Sequence, residues 1–371
     1  VDGAFVTLFL AGDVMLGRGV DQILPHPGDP AIPEAYVRDA RTYVELAEAA
    51  SGAVPRRVPY TWPWGEALPV LEAAAPDARI VNLETSVTVS EDVAPGKAVH
   101  YRMHPANLPA LAVARPDVCV LANNHVMDYG RRGLTETLDA LAAAGLRTAG
   151  AGGDLDAARR PAVVPLPGGR RVLVFALGSA SSGIPHDWAA GADRSGVDLV
   201  DESSEGDAAE VTGRIRRAKR SGDLAVVSVH WGSNWGYAVP REQVRFAHAL
   251  VDGGADVVHG HSSHHPRPVE VYRGHPVLYG CGDLIDDYEG IGGHEQYRDD
   301  LRLLYLLRLE PDTGLLDDAC LVPLQAHRMR LRRASRADAD GLGEALTRAG
   351  RTFGTAVSRT PLGTLCVHAA R

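Results

Sequence analysis

The sequence predicts an α/β fold on two observations. Short apolar segments rich in β-branched residues alternate with amphipathic segments of helical length along most of the 371 residues. Each strand-like segment also runs directly into polar residues. Composition agrees: 45% hydrophobic and 23% charged residues are ordinary for a globular enzyme.

Taken in order, Val6 to Ala11 leads into Gly12-Asp13, Ala78 to Val81 into Asn82-Leu83-Glu84, and Asp117 to Leu121 into Asn123-Asn124-His125. Asp223 to Val229 leads into His230-Trp231-Gly232, and Ala255 to Val258 into a histidine cluster. Five strands delivering polar residues at their carboxyl ends predict one shared crevice, where open α/β sheets hold ligands. Helices are predicted over 33–50, 64–75, 131–144, 206–220 and 241–252, the second interrupted by Pro69. A late β-hairpin is predicted over 302–309 and 315–324, turning at Pro311-Asp312-Thr313-Gly314.

The whole chain, 1–371, reads as one domain. Residues 22–63, rich in proline, read as an insertion over the front of the site, and 325–371 as a closing segment. The four cysteines lie far apart without a CxxC spacing and read as reduced.

A net charge of −9 without a long basic run excludes the electrostatic footprint of a nucleic-acid or anionic-membrane binder. No stretch reaches the roughly 18 apolar residues a membrane span needs, so the expected location is the cytoplasm. The chain opens on Val-Asp-Gly without methionine, which is consistent with a trimmed segment or an alternative start codon.

The chemistry concentrates at the strand ends. Asp13 and Glu84 are carboxylates directly after apolar runs, and Asn124 offers an amide oxygen. His125 has Asp128 three residues on, close enough to hold one ring nitrogen and raise the basicity of the other; Asp128 also suits the cap of the following helix. His259, His261, His264 and His265 fall within seven residues, a density that packing does not explain. Asp283 follows another strand and suits the orienting of a histidine. Arg18 and Arg267 are the cations near the strand ends and, with Trp231, are the expected substrate contacts.

In that order, Gly12-Asp13, Asn82-Leu83-Glu84, Asn123-Asn124-His125, His230-Trp231-Gly232 and Gly260-His261-Ser262-Ser263-His264 resemble the five blocks of calcineurin-like metallophosphoesterases. More closely, Gly12-Asp13-Val14-Met15-Leu16-Gly17-Arg18 and Asn82-Leu83-Glu84-Thr85 resemble the CapA family, associated with poly-γ-glutamate capsule synthesis. The resemblance covers residues 5 to about 325. It implies a four-layer αββα sandwich, a bridging Glu84, one metal position held by Asn124, His230 and His261, and another approached by Asp13 and His264. It also casts His125 as the acid beside the metal.

Two departures matter. Met15 stands where the resembled pattern has a histidine, and two residues rather than one separate His261 from His264. A single, oxygen-rich ion is therefore expected, Ca²⁺ or Mn²⁺ before Zn²⁺. With Asp13, His125, Asp128, His264 and Asp283 as the acid–base residues, the expected reaction is epimerisation at the Cα of a peptide substrate. A branch of the CapA-like group resembles the lasso-peptide epimerase that inverts a C-terminal tryptophan. The alternatives are hydrolysis or transfer at γ-glutamyl, peptide or phosphate ester bonds, and a non-catalytic module that binds an anionic polymer.

Overall fold

Two mixed β-sheets share one core in this computed structural model, which describes residues 5–370. The larger sheet runs Thr355–Arg359, Leu365–Ala369, Leu316–Ala326, Leu301–Leu309, Val6–Val14, Ala78–Leu83, Val118–Val120, Arg147–Ala149. Asp283–Ile285 pairs in parallel with the end of Val6–Val14. The smaller sheet runs Leu199–Val200, Arg171–Ser179, Leu224–His230, Val257–His261, His275–Leu278, Val269–Tyr272, with Ala162–Pro165 beside Arg171–Ser179.

Side chains alternate across a strand, and here each side of the alternation meets a different partner. Leu8, Leu10, Ile80 and Val118 pack against Val172, Val174, Val226 and Val257 between the sheets. Phe9, Ala11, Val81 and Cys119 lie on the opposite face, with Leu71, Leu134 and Leu141 from helices. On the outer face of the smaller sheet, Leu173, Phe175 and Val227 meet Val211, Ile215, Phe246 and Leu250. Burial on both faces is why these strands read as continuous apolar runs.

Three of the predicted helices form close to their predicted bounds, as Gly130–Ala143, Glu205–Ala218 and Arg241–Asp252. The second runs only Ala67–Ala74, with Pro69 in the first turn, where a missing N–H breaks no helical bond. The first starts later than predicted, as Arg41–Ser51, with Glu34 drawn out of helical register into bonds with Arg18 and the Tyr43 hydroxyl. The hairpin forms as Leu301–Leu309 and Leu316–Ala326.

Beyond it the chain extends the sheet. A helix, Arg336–Gly350, is followed by the strands Thr355–Arg359 and Leu365–Ala369, and Leu365 and Cys366 pair with Leu321 and Cys320. All four cysteines are free. Among the described residues no helix is long and apolar enough to cross a membrane.

Candidate metal centre

The five polar strand ends do converge, but from two sheets rather than one. Asp13, Glu84 and Asn124 arrive from the larger sheet, His230 and His261 from the smaller. His259 links them, its Nε2 donating to Ala11 O at 2.9 Å.

Asn82 and Asn123 form the scaffold on the carboxylate side. Asn82 Nδ2 donates to Asp13 Oδ1 (2.7 Å) and to Glu84 Oε2 (2.8 Å), while its Oδ1 accepts from Asn123 Nδ2 (2.9 Å). Asn123 Oδ1 then accepts the His125 and Val126 N–H groups at 3.1 and 2.9 Å, turning the chain so that Asn124 and His125 face inward. Asparagine is disfavoured in strand interiors, so Asn82 was the residue whose type signalled this role. Asp283 is in register with Asp13, and a Cβ on Gly12 would fall 1.7 Å from Gly282 O. Only glycine permits that approach.

The histidine side carries a proton relay that fixes tautomers. Ala11 O can only accept, so His259 Nε2 bears hydrogen and its Nδ1 accepts from Ser228 Oγ (3.1 Å). Ser228, its one proton spent, accepts from His261 Nε2 at 2.8 Å. His261 Nδ1 is left as a bare lone pair, 2.7 Å from His230 Nδ1 and 3.9 Å from Asp13 Oδ1. His259 is therefore a support for a ligand-type histidine rather than a ligand itself.

Asp13 belongs to two overlapping groups of ligand-type atoms, each within 4.8 Å: one with His230 and His261, the other with His264 and Asp283. Asp283 lies 3.0 Å from His264 Nδ1, and Met15 is fully buried. The extra residue between His261 and His264 is absorbed by Ser262 at φ 102°, a region that non-glycine residues rarely adopt.

These groups fit a divalent cation on two counts. Asp13 Oδ2 and Asp283 Oδ2 are buried with no hydrogen-bond partner among the described residues. His230 lies between His261 Nδ1 at 2.7 Å and the Asn124 amide at 3.0 Å. Burial, with His125 and His264 nearby, holds His230 far below its usual pKa and keeps its ring neutral, as a ligand must be. A cation among these atoms gives the bare carboxylate oxygens a partner.

Electrostatics separate the two flanking histidines. Burial pushes His125 down to about 4 despite Asp128, whereas Asp283 and Asp13 overcome burial to raise His264. Burial and then Asp283 push Asp13 up to about 7, and burial with Asp13 raises Glu84 well above its usual value. His125 Nδ1 lies 2.6 Å from Asp128 Oδ2, which also accepts the Tyr101 N–H at 2.7 Å. Asp128 does not cap the following helix: Tyr129 stands at that cap without a side-chain bond. Lys97 was not found from sequence. Its Nζ bonds Asp128 Oδ1 and Asn124 O over the Trp188 ring, and it arrives from a loop with no strand to announce it.

The three expected substrate contacts are all buried and already engaged by neighbours. Trp231 is fully buried in the outer core, donates to Tyr279 O at 3.0 Å and packs on Phe246, because one residue beyond His230 the strand alternation turns inward to the helices. Arg18 is buried, paired with Asp287 and Glu34, and covered by Tyr43 and Tyr101. Arg267 is buried and holds Ser233 O and Oγ, both at 2.9 Å.

Fold and site together define an α/β protein with a buried centre of metal-ligand character between two sheets. The chain belongs to the family described as "Bacterial capsule synthesis protein PGA_cap", whose model matches residues 7–288. It is 55% identical over 357 residues to a probable polyglutamine synthesis accessory protein of Mycobacterium tuberculosis, covering 96% of this chain and 94% of that one. It is 26% identical to the PGA biosynthesis protein CapA of Bacillus subtilis, covering 85% of this chain and 70% of that one. The capsule biosynthesis protein CapA of Bacillus anthracis is also 26% identical, over 86% of this chain and 67% of that one.

Proposed function

We propose that the chain is a metal-dependent acid–base enzyme acting on a peptide or polyamide, with hydrolysis or transfer at an amide or ester bond as its reaction. The observation that carries this is the membership of Asp13 in two ligand groups at once. Ligand sets that share a carboxylate suit two cations about 3.5–4 Å apart, an arrangement used in displacements at acyl and phosphoryl centres. Asp283 makes a second position feasible, so two ions replace the single ion expected from Met15. Histidine nitrogens beside carboxylates suit Mn²⁺ or Zn²⁺ better than Ca²⁺, which takes oxygen donors.

Asp13, His230 and His261, with Asn124 and Glu84 at their edge, would hold one ion, and Asp13, His264 and Asp283 the other. When bound, such ions neutralise the buried carboxylates and polarise a substrate oxygen. Asp128 engages His125 Nδ1, which leaves Nε2, 3.8 Å from Glu84 Oε1, as the nitrogen that exchanges a proton with substrate. Shared inter-sheet packing with helices on the outer faces supports the αββα sandwich of the calcineurin-like fold. The relatives named for polyglutamine and PGA synthesis support a polyamide substrate.

Epimerisation at Cα is the second reading, favoured by the two separate histidine–carboxylate pairs, His125–Asp128 and His264–Asp283. Incubating α- and γ-linked glutamyl and glutaminyl oligomers with the metal-loaded protein in D₂O separates the readings. Two shorter products with the mass of one added water support hydrolysis, and deuterium at one Cα with unchanged length supports epimerisation. Unchanged oligomers across the series would leave a binding module and reject both.

A further inference from the structure

A cleft of about 660 Å³ lies beside the metal centre, between the ends of the strands Arg171–Ser179 and Leu224–His230 and the first turns of the helices Glu205–Ala218 and Arg241–Asp252. It adjoins the centre directly: Ser181 Oγ accepts the Gly232 N–H at 2.9 Å, two residues past His230, and a Cβ on Gly183 would meet the Asn124 amide at 3.8 Å. A chain held at the metal centre has this cleft as a neighbour.

Its charge is one-sided. Asp201, Glu202, Asp207 and Glu242 line it, and no lysine or arginine does among the described residues. Two helix amino termini meet here, and each carries about half a positive charge, which offsets about one of the four carboxylates. With the Arg267 guanidinium behind Gln243 counted as well, roughly two negative charges remain, so the field selects a cation. Ser203 holds one oxygen of Asp201, and Ser179 one oxygen of Glu202, leaving the second oxygen of each for a ligand.

Gln243 is the independent observation. It lines the cleft at 1% exposure, yet neither its Oε1 nor its Nε2 has a partner among the described residues. Gly232, at φ 76°, makes room for it, since a Cβ there would fall 2.7 Å from Nε2. Turning the amide to set Oε1 toward Arg267 Nη1 still leaves Nε2 an acceptor short. A buried carboxamide with a free N–H matches the carbonyl oxygen of a peptide amide.

We propose that this cleft is a subsite for an aliphatic primary ammonium carried on a peptide, a lysine-type side chain. The ammonium sits among Asp201, Glu202 and Glu242, its methylenes lie against Leu199, Val200 and Pro240, and the adjoining amide pairs with Gln243. This deepens, and rests on, the reading of the centre as one that acts on peptides.

Calorimetric titration of the full chain with acetyl-Gly-Lys-Gly-amide, its norleucine counterpart and cadaverine tests it without turnover. The lysine peptide is expected to bind about tenfold more tightly than the norleucine peptide, the sum of two or three partly exposed ion pairs. Asp201→Asn with Glu202→Gln and Glu242→Gln should abolish that advantage. Gln243→Leu should weaken the lysine peptide and leave cadaverine unchanged. Equal binding of the lysine and norleucine peptides, or an advantage that survives the triple substitution, overturns the subsite. Cadaverine matching the lysine peptide would overturn the peptide as the source of the ammonium. Failure of the oligomer reactions leaves these binding ratios untouched, and equal binding here leaves the deuterium result untouched.

Discussion

Replacing Asp128 by asparagine keeps the shape of the side chain and removes its charge, and the change reaches His125, Tyr101 and Lys97 together. Asp128 is fully buried and the Lys97 side chain is 12% exposed. Removing one partner of a buried ion pair costs about 3–5 kcal/mol, and the lysine's residual exposure places this near 3 kcal/mol. Unfolding entropy of about 2.1 cal/mol/K per residue over the 371-residue chain gives about 0.8 kcal/mol/K, so Asp128→Asn should lower Tm by about 4 °C. Adding Lys97→Met removes the stranded charge and should recover at least half of that loss. Turnover should fall by a factor on the order of 10³ in Asp128→Asn and stay low in the double variant, because His125 has lost the acceptor that fixes its tautomer. Calorimetric scans and initial rates of the three proteins supply the numbers. Additive destabilisation in the double variant would refute the ion pair, and an undiminished rate would refute His125 as the proton carrier.

The pH dependence of the same variant has a definite sign. Burial works to raise the Asp128 carboxyl, but His125 and Lys97 hold it below the ordinary 3.8. A depressed carboxylate contributes fully above its unfolded value and loses that contribution as pH falls through the folded one. The Tm gap between wild type and Asp128→Asn should be flat from about pH 5 to 8 and close only below about pH 4.

Three further outcomes are expected. Trp231→Ala should cost about 3–5 kcal/mol through the cavity it leaves, with ligand affinity per folded molecule unchanged; a loss of affinity at constant Tm would return Trp231 to the substrate surface. Arg18→Met strands two buried carboxylates and should cost about 3–5 kcal/mol in denaturant titration, whereas a neutral result would mean that the network with Asp287 and Glu34 holds nothing. Elemental analysis should find two divalent ions per chain in the wild type and one in Asp283→Ala, while one ion in both restores the single-ion expectation.

The strand ends were legible because the chain marks them locally. An apolar run long enough for a strand, followed at once by Asp13, Glu84, Asn124, His230 or His261, needs no distant information to be seen. The helices 130–143, 205–218 and 241–252 were legible for the same reason, since one apolar stripe reports one buried face. The strand Thr355–Arg359 and its partner Leu365–Ala369 were not, being short and mixed in polarity; their pairing with Leu316–Ala326 supplies what their own pattern lacks.

What the sequence determined by itself was the set of chemical groups and their place at strand ends, because residue type and local periodicity are properties of neighbours along the chain. Tertiary structure alone decided how those groups divide their roles. His259 is tied to Ala11 O, 248 residues away, and through Ser228 orients His261, while Asp283 comes into register with Asp13. Lys97 reaches Asp128 from a loop, while Arg18 is neutralised by Asp287, 269 residues distant. Whether a buried histidine, arginine or carboxylate holds a ligand or holds its neighbour depends on which partners surround it. Those partners come from other strands and the other sheet, so contact between distant segments set the roles.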